Sequence, residues 1–208
     1  MNNFRIEPFL WIHLAGIALA PLLLIVMWLG LAVGDPLPFY WLELGLVAII
    51  GILPILWMQW TKPFSIFSLL IFAIKPNSLT EEQRKILTLL KTRKNKIFQG
   101  ITAIGLLGIG WLLYQWAPLA AVTATMLPQW RILGLLIAAI AFLLTNLFVQ
   151  VPVSVLGVLL TSQQQWLKTE PIASENVLRD FTVLGLRVNK IFLIPTVSPS
   201  ANLQENPS

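Results

Sequence analysis

The chain contains no cysteine and a single histidine, His13. Without thiols there is no disulfide, no thiolate metal centre and no redox switch to consider. Charge is scarce too: Asp, Glu, Lys and Arg make up 11% of the 208 residues, under half the roughly 25% usual in soluble proteins. With 57% of residues apolar, a globule of this size could not assemble a water-facing surface, so lipid must be the solvent for most of it. Also missing are HExxH, GxSxG and any glycine-rich phosphate loop. Glu7, Asp35 and Glu43 all lie at the ends of apolar runs, whereas proton relays and ion-coupled transporters carry carboxylates at mid-depth. These absences argue against an enzyme and against an ion-coupled transporter. A basic stripe with base-reading chemistry is lacking as well, which argues against nucleic acid.

What is present is four nearly uncharged runs, Phe9 to Val33, Leu44 to Trp60, Ile97 to Trp116 and Ile132 to Val151. About 20 apolar residues at about 1.5 Å each cross a hydrocarbon layer about 30 Å thick. The fold class expected is therefore an all-α membrane protein with four transmembrane helices, over about 9–33, 41–60, 97–117 and 131–151. A short N-terminal segment (1–8) precedes the four-span membrane domain (9–161), and a basic loop (61–96) joins spans two and three. A C-terminal segment (162–194) and a short tail (195–208) follow. Ala18-Leu19-Ala20 has the small-x-small form of a signal cleavage site. Yet the uncharged run continues to Gly34, Glu7 offsets Arg5 and Pro21 follows at once, so a retained first span is expected.

Basic residues give the threading. One lies before span one, eight in the loop and four in the C-terminal region, all on one side; Arg131 alone falls on the other. The positive-inside rule puts both termini and the loop in the cytoplasm, and anionic lipid headgroups are expected at Arg84, Lys85, Lys91, Arg93, Lys94 and Lys96. Trp28, Tyr40 and Trp41 bracket the first outer turn, Trp116 and Trp130 the second, and Trp57 and Trp60 mark the inner end of span two. Rings of this kind belong at headgroup depth. Pro21 and Pro54 should bend their spans. A straight helix from Ile132 to Leu167 would be about 54 Å long, so a break is expected near Pro152, with residues 153–161 finishing the span at an angle or lying in the interface.

Inside the loop, Pro63 to Ile74 is too short to cross and reads as re-entrant or interfacial. Thr80 and Gln83 form a capping box, and the helix that follows places Ile86, Leu89, Leu90, Arg93 and Ile97 at helical spacing. It is expected to be an amphipathic inner segment continuous with span three, lying on the membrane surface or docking a protein partner. Residues 181–194 fit a helical stripe or a short strand equally well. Beyond Pro195 the chain is too rich in proline, serine and other polar residues to fold, and a short disordered C-terminal tail is expected.

Three features within the runs could carry chemistry. His13 is an ionisable group inside a span and could ligate a metal such as the magnesium of a chlorophyll, or bond structurally to a neighbouring helix. Gly134, Ala138, Ala141 and Thr145 form a seam of small residues, with Asn146 and Gln150 as an amide pair beside it. Seams of this kind let helices pack closely, and the amides could instead line a permeation path. A similar seam, Ile101, Gly105 and Gly108, suggests that spans three and four pack together.

Several stretches also carry a family likeness. They are Phe4-Arg5, Glu7-Pro8-Phe9-Leu10-Trp11-Ile12-His13-Leu14-Ala15-Gly16, Pro54-Ile55-Leu56-Trp57-Met58-Gln59-Trp60, Leu79-Thr80-Glu81, Gln83-Arg84, Lys91-Thr92-Arg93 and Val188-Asn189-Lys190-Ile191-Phe192. Together they resemble the cyanobacterial low-complexity tail membrane proteins over nearly the whole chain, although the tail here is short. The resemblance implies a cyanobacterial membrane, thylakoid or plasma membrane, and no activity. The expected role is a non-enzymatic scaffold or assembly factor without a cofactor, working with a membrane-protein partner. A small permease or channel using Asn146 and Gln150 is the alternative, and a pigment binder through His13 the third.

Overall fold

The computed structural model describes residues 4–69 and 71–191, so the expected tail lies outside the described residues. Four helical spans long and apolar enough to cross a bilayer are present, at Pro8–Leu31, Tyr40–Thr61, Arg93–Gln115 and Arg131–Leu159. The first is made of α1 (Pro8–Ala15), a 3-10 segment (Gly16–Leu19) and α2 (Ala20–Leu31). Pro21 sits in the first turn of α2, where its missing N–H is no loss, and the irregular turn lies just before it. The other spans are α3 (Tyr40–Thr61), α5 (Arg93–Gln115) and α7 (Arg131–Leu159). Between them stand α4 (Glu81–Leu90) and α6 (Ala117–Ala124).

Two expectations about helix continuity fail. α7 runs unbroken through Pro152 for 29 residues, about 43 Å. Pro152 removes one backbone donor, but Val151, Pro152, Ser154, Val155 and Val158 are all buried, and this packing holds the helix together. The surplus length does not lie in lipid; it enters a second core. The helix expected to run from the loop into span three does break, at Lys91 and Thr92. Asn95 Nδ2 donates to Leu89 O at 3.3 Å and Leu90 O at 3.4 Å, capping the end of α4 from inside the first turn of α5. α3 continues through Pro54.

Within the membrane α7 is the central element, packing against α2, α3 and α5. Lipid tails are as apolar as leucine, so helices associate there through close packing. Gly134 and Gly30 supply it: a Cβ on Gly134 would stand 2.6 Å from Gly30 O, and one on Gly30 would stand 2.8 Å from Ala138 N. Gly51 of α3 leaves room for the Phe142 ring. The α7 seam is thus real, but its closest partner is α2. The seam drawn on span three is a correction, because Gly105 and Gly108 face open space and Ile101 is 61% exposed. α5 meets the bundle through Ala103, Leu106 and Gly110 instead.

At the basic end, three stretches distant in sequence form one cap. Strand β1 (Phe72–Ile74) pairs in parallel with β2 (Leu186–Val188), with Phe72 opposite Leu186 and Ile74 opposite Val188. Thr182 N donates to Pro63 O at 3.0 Å and Lys75 N to Val188 O at 2.9 Å, which extends the join. Gly185 has φ +105° and lies against the Ile71 backbone, where a side chain would be strained and obstructed. Two short helices, α8 (Gln163–Lys168) and α9 (Ser174–Asp180), complete the cap. Its core gathers Phe4, Phe9 and Leu10 from the N-terminus, Ile66, Phe67, Ile86 and Leu87 from the loop, and Val155, Trp166, Val177 and Phe181 from the C-terminal half.

The cap revises two more expectations. The apolar face of α4 is covered by the chain itself, with Ile86 and Leu87 at 1% and 0% exposure, so it rests neither on lipid nor on a partner. Residues 63–68 of the apolar run are mostly irregular and buried in the cap, whereas Ile71 and Phe72 are exposed. The helix-or-strand question over 181–191 resolves to a short strand at 186–188.

Candidate functional site

His13 faces the junction between span one and the cap. Its Nδ1 lies 2.9 Å from Phe9 O and its Nε2 3.2 Å from Ser68 O. Ser68 Oγ in turn donates to Leu184 O and accepts from Leu184 N, tying the 64–69 segment to the C-terminal region. Beside the imidazole is an apolar pocket of about 180 Å³, with Gly16, Phe64, Phe148 and Pro152 among its walls. For His13 to bind a metal, one ring nitrogen would have to leave its carbonyl. The arrangement staples α1 to the loop.

Asn146 and Gln150 are fully buried, and so are Thr145, Ser154 and Gln99 to within 3%. Along α7, Thr145 Oγ1 donates to Ala141 O (2.8 Å), Asn146 Nδ2 to Phe142 O (3.0 Å), Gln150 Nε2 to Asn146 Oδ1 (3.1 Å) and Ser154 Oγ to Gln150 O (2.9 Å). α5 joins through Gln99 Nε2, which donates to Ser154 Oγ at 2.8 Å, and Asn95 Nδ2, which donates to Ser154 O at 3.3 Å. Gln59 Nε2, Gln99 Oε1 and Gln150 Oε1 are buried and make no hydrogen bond with the described residues. Sequence reasoning found Asn146 and Gln150 but missed Asn95 and Gln99. Their spacing of four on the helix that follows α4 was the available signal.

The far end holds a site that sequence reasoning passed over entirely. Glu43, 1% exposed, accepts from Arg131 Nε at 2.6 Å, from Arg131 Nη2, from Tyr114 Oη at 2.8 Å and from Leu37 N at 2.8 Å. Arg131 Nη1 also donates to Leu31 O at 2.7 Å and Val33 O at 2.8 Å. The guanidinium begins α7, the carboxylate begins α3, the phenol ends α5 and the carbonyls follow from α2. One node therefore ties all four spans. The clue was that the one basic residue outside the basic side has a carboxylate at the start of span two for company.

The basic-loop residues fall into two groups. Arg84 Nη1 donates to Ile172 O and Ser174 Oγ, both at 3.4 Å. Lys85 pairs with Glu81 at 3.8 Å and lies over Trp166, and Lys91 pairs with Asp180 at 3.1 Å and lies over Phe181. These three hold the cap together. Lys91 beside Asp180 holds its carboxyl below the ordinary aspartate range. Glu7 goes the other way: burial raises its carboxyl, partly opposed by the 3.3 Å hydrogen bond from Gln83 Nε2. Arg93, Lys94 and Lys96 are exposed and make no side-chain hydrogen bond or ion pair with the described residues.

Four apolar helical spans tied by buried amides and one buried ion pair define an integral, multi-pass helical membrane protein. Within that class the chain belongs to the low-complexity tail membrane protein-like family, whose family model matches residues 6–193 and bears out the family, though not the organism, drawn from its motifs. No curated protein and no solved structure matches it.

Proposed function

We propose that this protein is a non-enzymatic membrane scaffold or assembly factor, which displays the folded basic cap on one face of the bilayer. One observation carries the reading: Asn146 and Gln150 bond within α7, and Asn95 and Gln99 of α5 reach across to Ser154 of α7, so these amides hold the bundle together instead of lining a passage. With 13 of 14 basic residues at the cap end or in its flanks, that end faces the cytoplasm and contacts anionic headgroups. The family likeness supports a cyanobacterial membrane, thylakoid or plasma membrane, as its place.

The test is purification after mild solubilisation, comparing wild type with the Asn146→Leu, Gln150→Leu double variant. A scaffold yields the same membrane-protein partner from both. Repeated recovery of the bare protein would overturn the reading. Solute flux in vesicles that the double variant abolishes would establish a permease or channel instead. Visible absorption in the purified protein that is lost in His13→Leu would establish a pigment binder.

A further inference from the structure

Three of the loop's basic residues that the cap does not use lie within one turn of helix. Arg93, Lys94 and Lys96 occupy the first turn of α5, which contains no acidic residue. A helix N-terminus carries partial positive charge, so three cations there repel it and each other. Beside them a pocket of about 140 Å³ opens between the start of α5, the end of α7 and α8, with Thr92, Lys94, Phe98, Leu160 and Gln165 in its walls. The wall is amphiphilic: it combines the Lys94 ammonium, the hydroxyls of Thr92 and Thr161 and the Gln165 amide with the Phe98 ring and Leu160.

Depth selects the occupant. Directly below the cations, Ile97, Phe98, Ile101 and Ile104 are exposed along a membrane-spanning helix, an apolar track leading away from the charged turn. Trp60, an indole at headgroup depth, donates from Nε1 to Lys96 O at 3.2 Å and fixes the level of that turn. A ligand with a phosphate at the cations and hydrocarbon along Ile97 and Ile101 fits both parts. We infer that the first turn of α5 and the adjoining pocket form a specific site for one anionic phospholipid. This deepens the general headgroup contact proposed above by assigning it to Thr92, Lys94 and Gln165 of the pocket wall, with Arg93 and Lys96 flanking on the same turn, and it leaves Arg84, Lys85 and Lys91 to the cap.

The experiment is native mass spectrometry of the full chain released from detergent with phosphatidylglycerol, or with phosphatidylcholine of the same chains. The variant Arg93→Gln, Lys94→Gln, Lys96→Gln is compared with Lys168→Gln, Arg187→Gln, Lys190→Gln, which removes the same charge from other exposed positions. Wild type and the second variant should retain one phosphatidylglycerol. The first should lose it by about a hundredfold in affinity, at roughly a factor of five per cation. Equal loss in both variants would leave a diffuse headgroup contact and overturn the site. No preference for phosphatidylglycerol over phosphatidylcholine would overturn both the site and the general contact. Displacement by glycerol 3-phosphate at the lipid's own concentration would make this a site for a free phosphate and overturn the lipid assignment. Partner recovery is read separately, so loss of the scaffold reading would leave this result standing.

Discussion

Removing Glu43 should cost more than removing any other single polar side chain in the bundle. Glu43→Leu strips four hydrogen bonds from one carboxylate. It also leaves the Arg131 guanidinium, whose side chain is 11% exposed, without a counter-charge. Breaking a buried ion pair from one side costs about 3–5 kcal/mol, because the remaining charge is stranded. At about 2–4 °C per kcal/mol for a chain of this size, the melting temperature should fall by roughly 6–20 °C. The double variant Glu43→Leu, Arg131→Leu removes both charges, and apolar replacement of a buried pair is often close to neutral. It should melt above the Glu43→Leu protein, with a coupling of about 2 kcal/mol or more in the double-mutant cycle. Unfolding in detergent followed by the emission of the nine tryptophans measures all four corners. Two outcomes would refute the reasoning: a single-variant shift below about 2 °C, or a double-variant loss equal to the sum of the singles.

Further expectations concern packing, the α4–α5 junction and pH. Gly134→Ala places a Cβ 2.6 Å from Gly30 O, so α2 and α7 must part at a cost of about 1–3 kcal/mol, visible as a lower melting temperature. Asn95→Leu leaves the carbonyls of Leu89, Leu90 and Ser154 without its amide, a loss of about 1–3 kcal/mol. Trypsin should then cut faster at Lys91 and Arg93; an unchanged cleavage rate would count against the cap role of Asn95. Cap stability should respond to two carboxyls in opposite senses. Asp180 titrates below its ordinary range because of Lys91, so its contribution is complete above that range and is lost as pH falls through the depressed value. Glu7 titrates above its ordinary value through burial, so it favours folding below that value and ceases to as pH rises through the raised one. Melting curves across acid pH should lose the first component in Lys91→Gln and the second in Glu7→Gln.

The spans were legible because apolar length is a one-dimensional signal: the edges of the first three lie within a few residues of those expected. The capping box at Thr80 was legible for the same reason, since all its parts lie within four residues. Partner choice was not. Gly105 and Gly108 have the spacing of a packing seam, yet small residues on a lipid-facing surface look identical in sequence. The apolar face of α4 was visible, but its cover comes from Phe9, Val155 and Val177, far along the chain in both directions. Pro152 was read as a breaker because an uncharged run reaching Leu167 is too long for one straight span, whereas the packing that keeps α7 whole through it comes from distant parts of the chain. The three-residue parallel pairing of 72–74 with 186–188 is too short for period-two alternation to register. In the candidate sites, Asn146 and Gln150 announced themselves as polar residues in an apolar run. Glu43 and Arg131 did not, since a charge at the end of a span is ordinary.

The unbroken passage of α7 through Pro152 sets an order on biosynthesis. Ile86, Leu87, Leu89 and Leu90 leave the ribosome before Val155, Val158, Trp166 and Val177, which share their core. Until the last span is seated, the loop helix has only the earlier core residues, Phe9 and Phe67 among them, to cover its apolar face, and the rest of that face is open to chaperones and proteases. Completion of α7 closes it, because the rod that ends the bundle also supplies the floor of the cap. A chain cut short after residue 151 would contain most of the four spans and still be marked as unfinished by that one exposed helix.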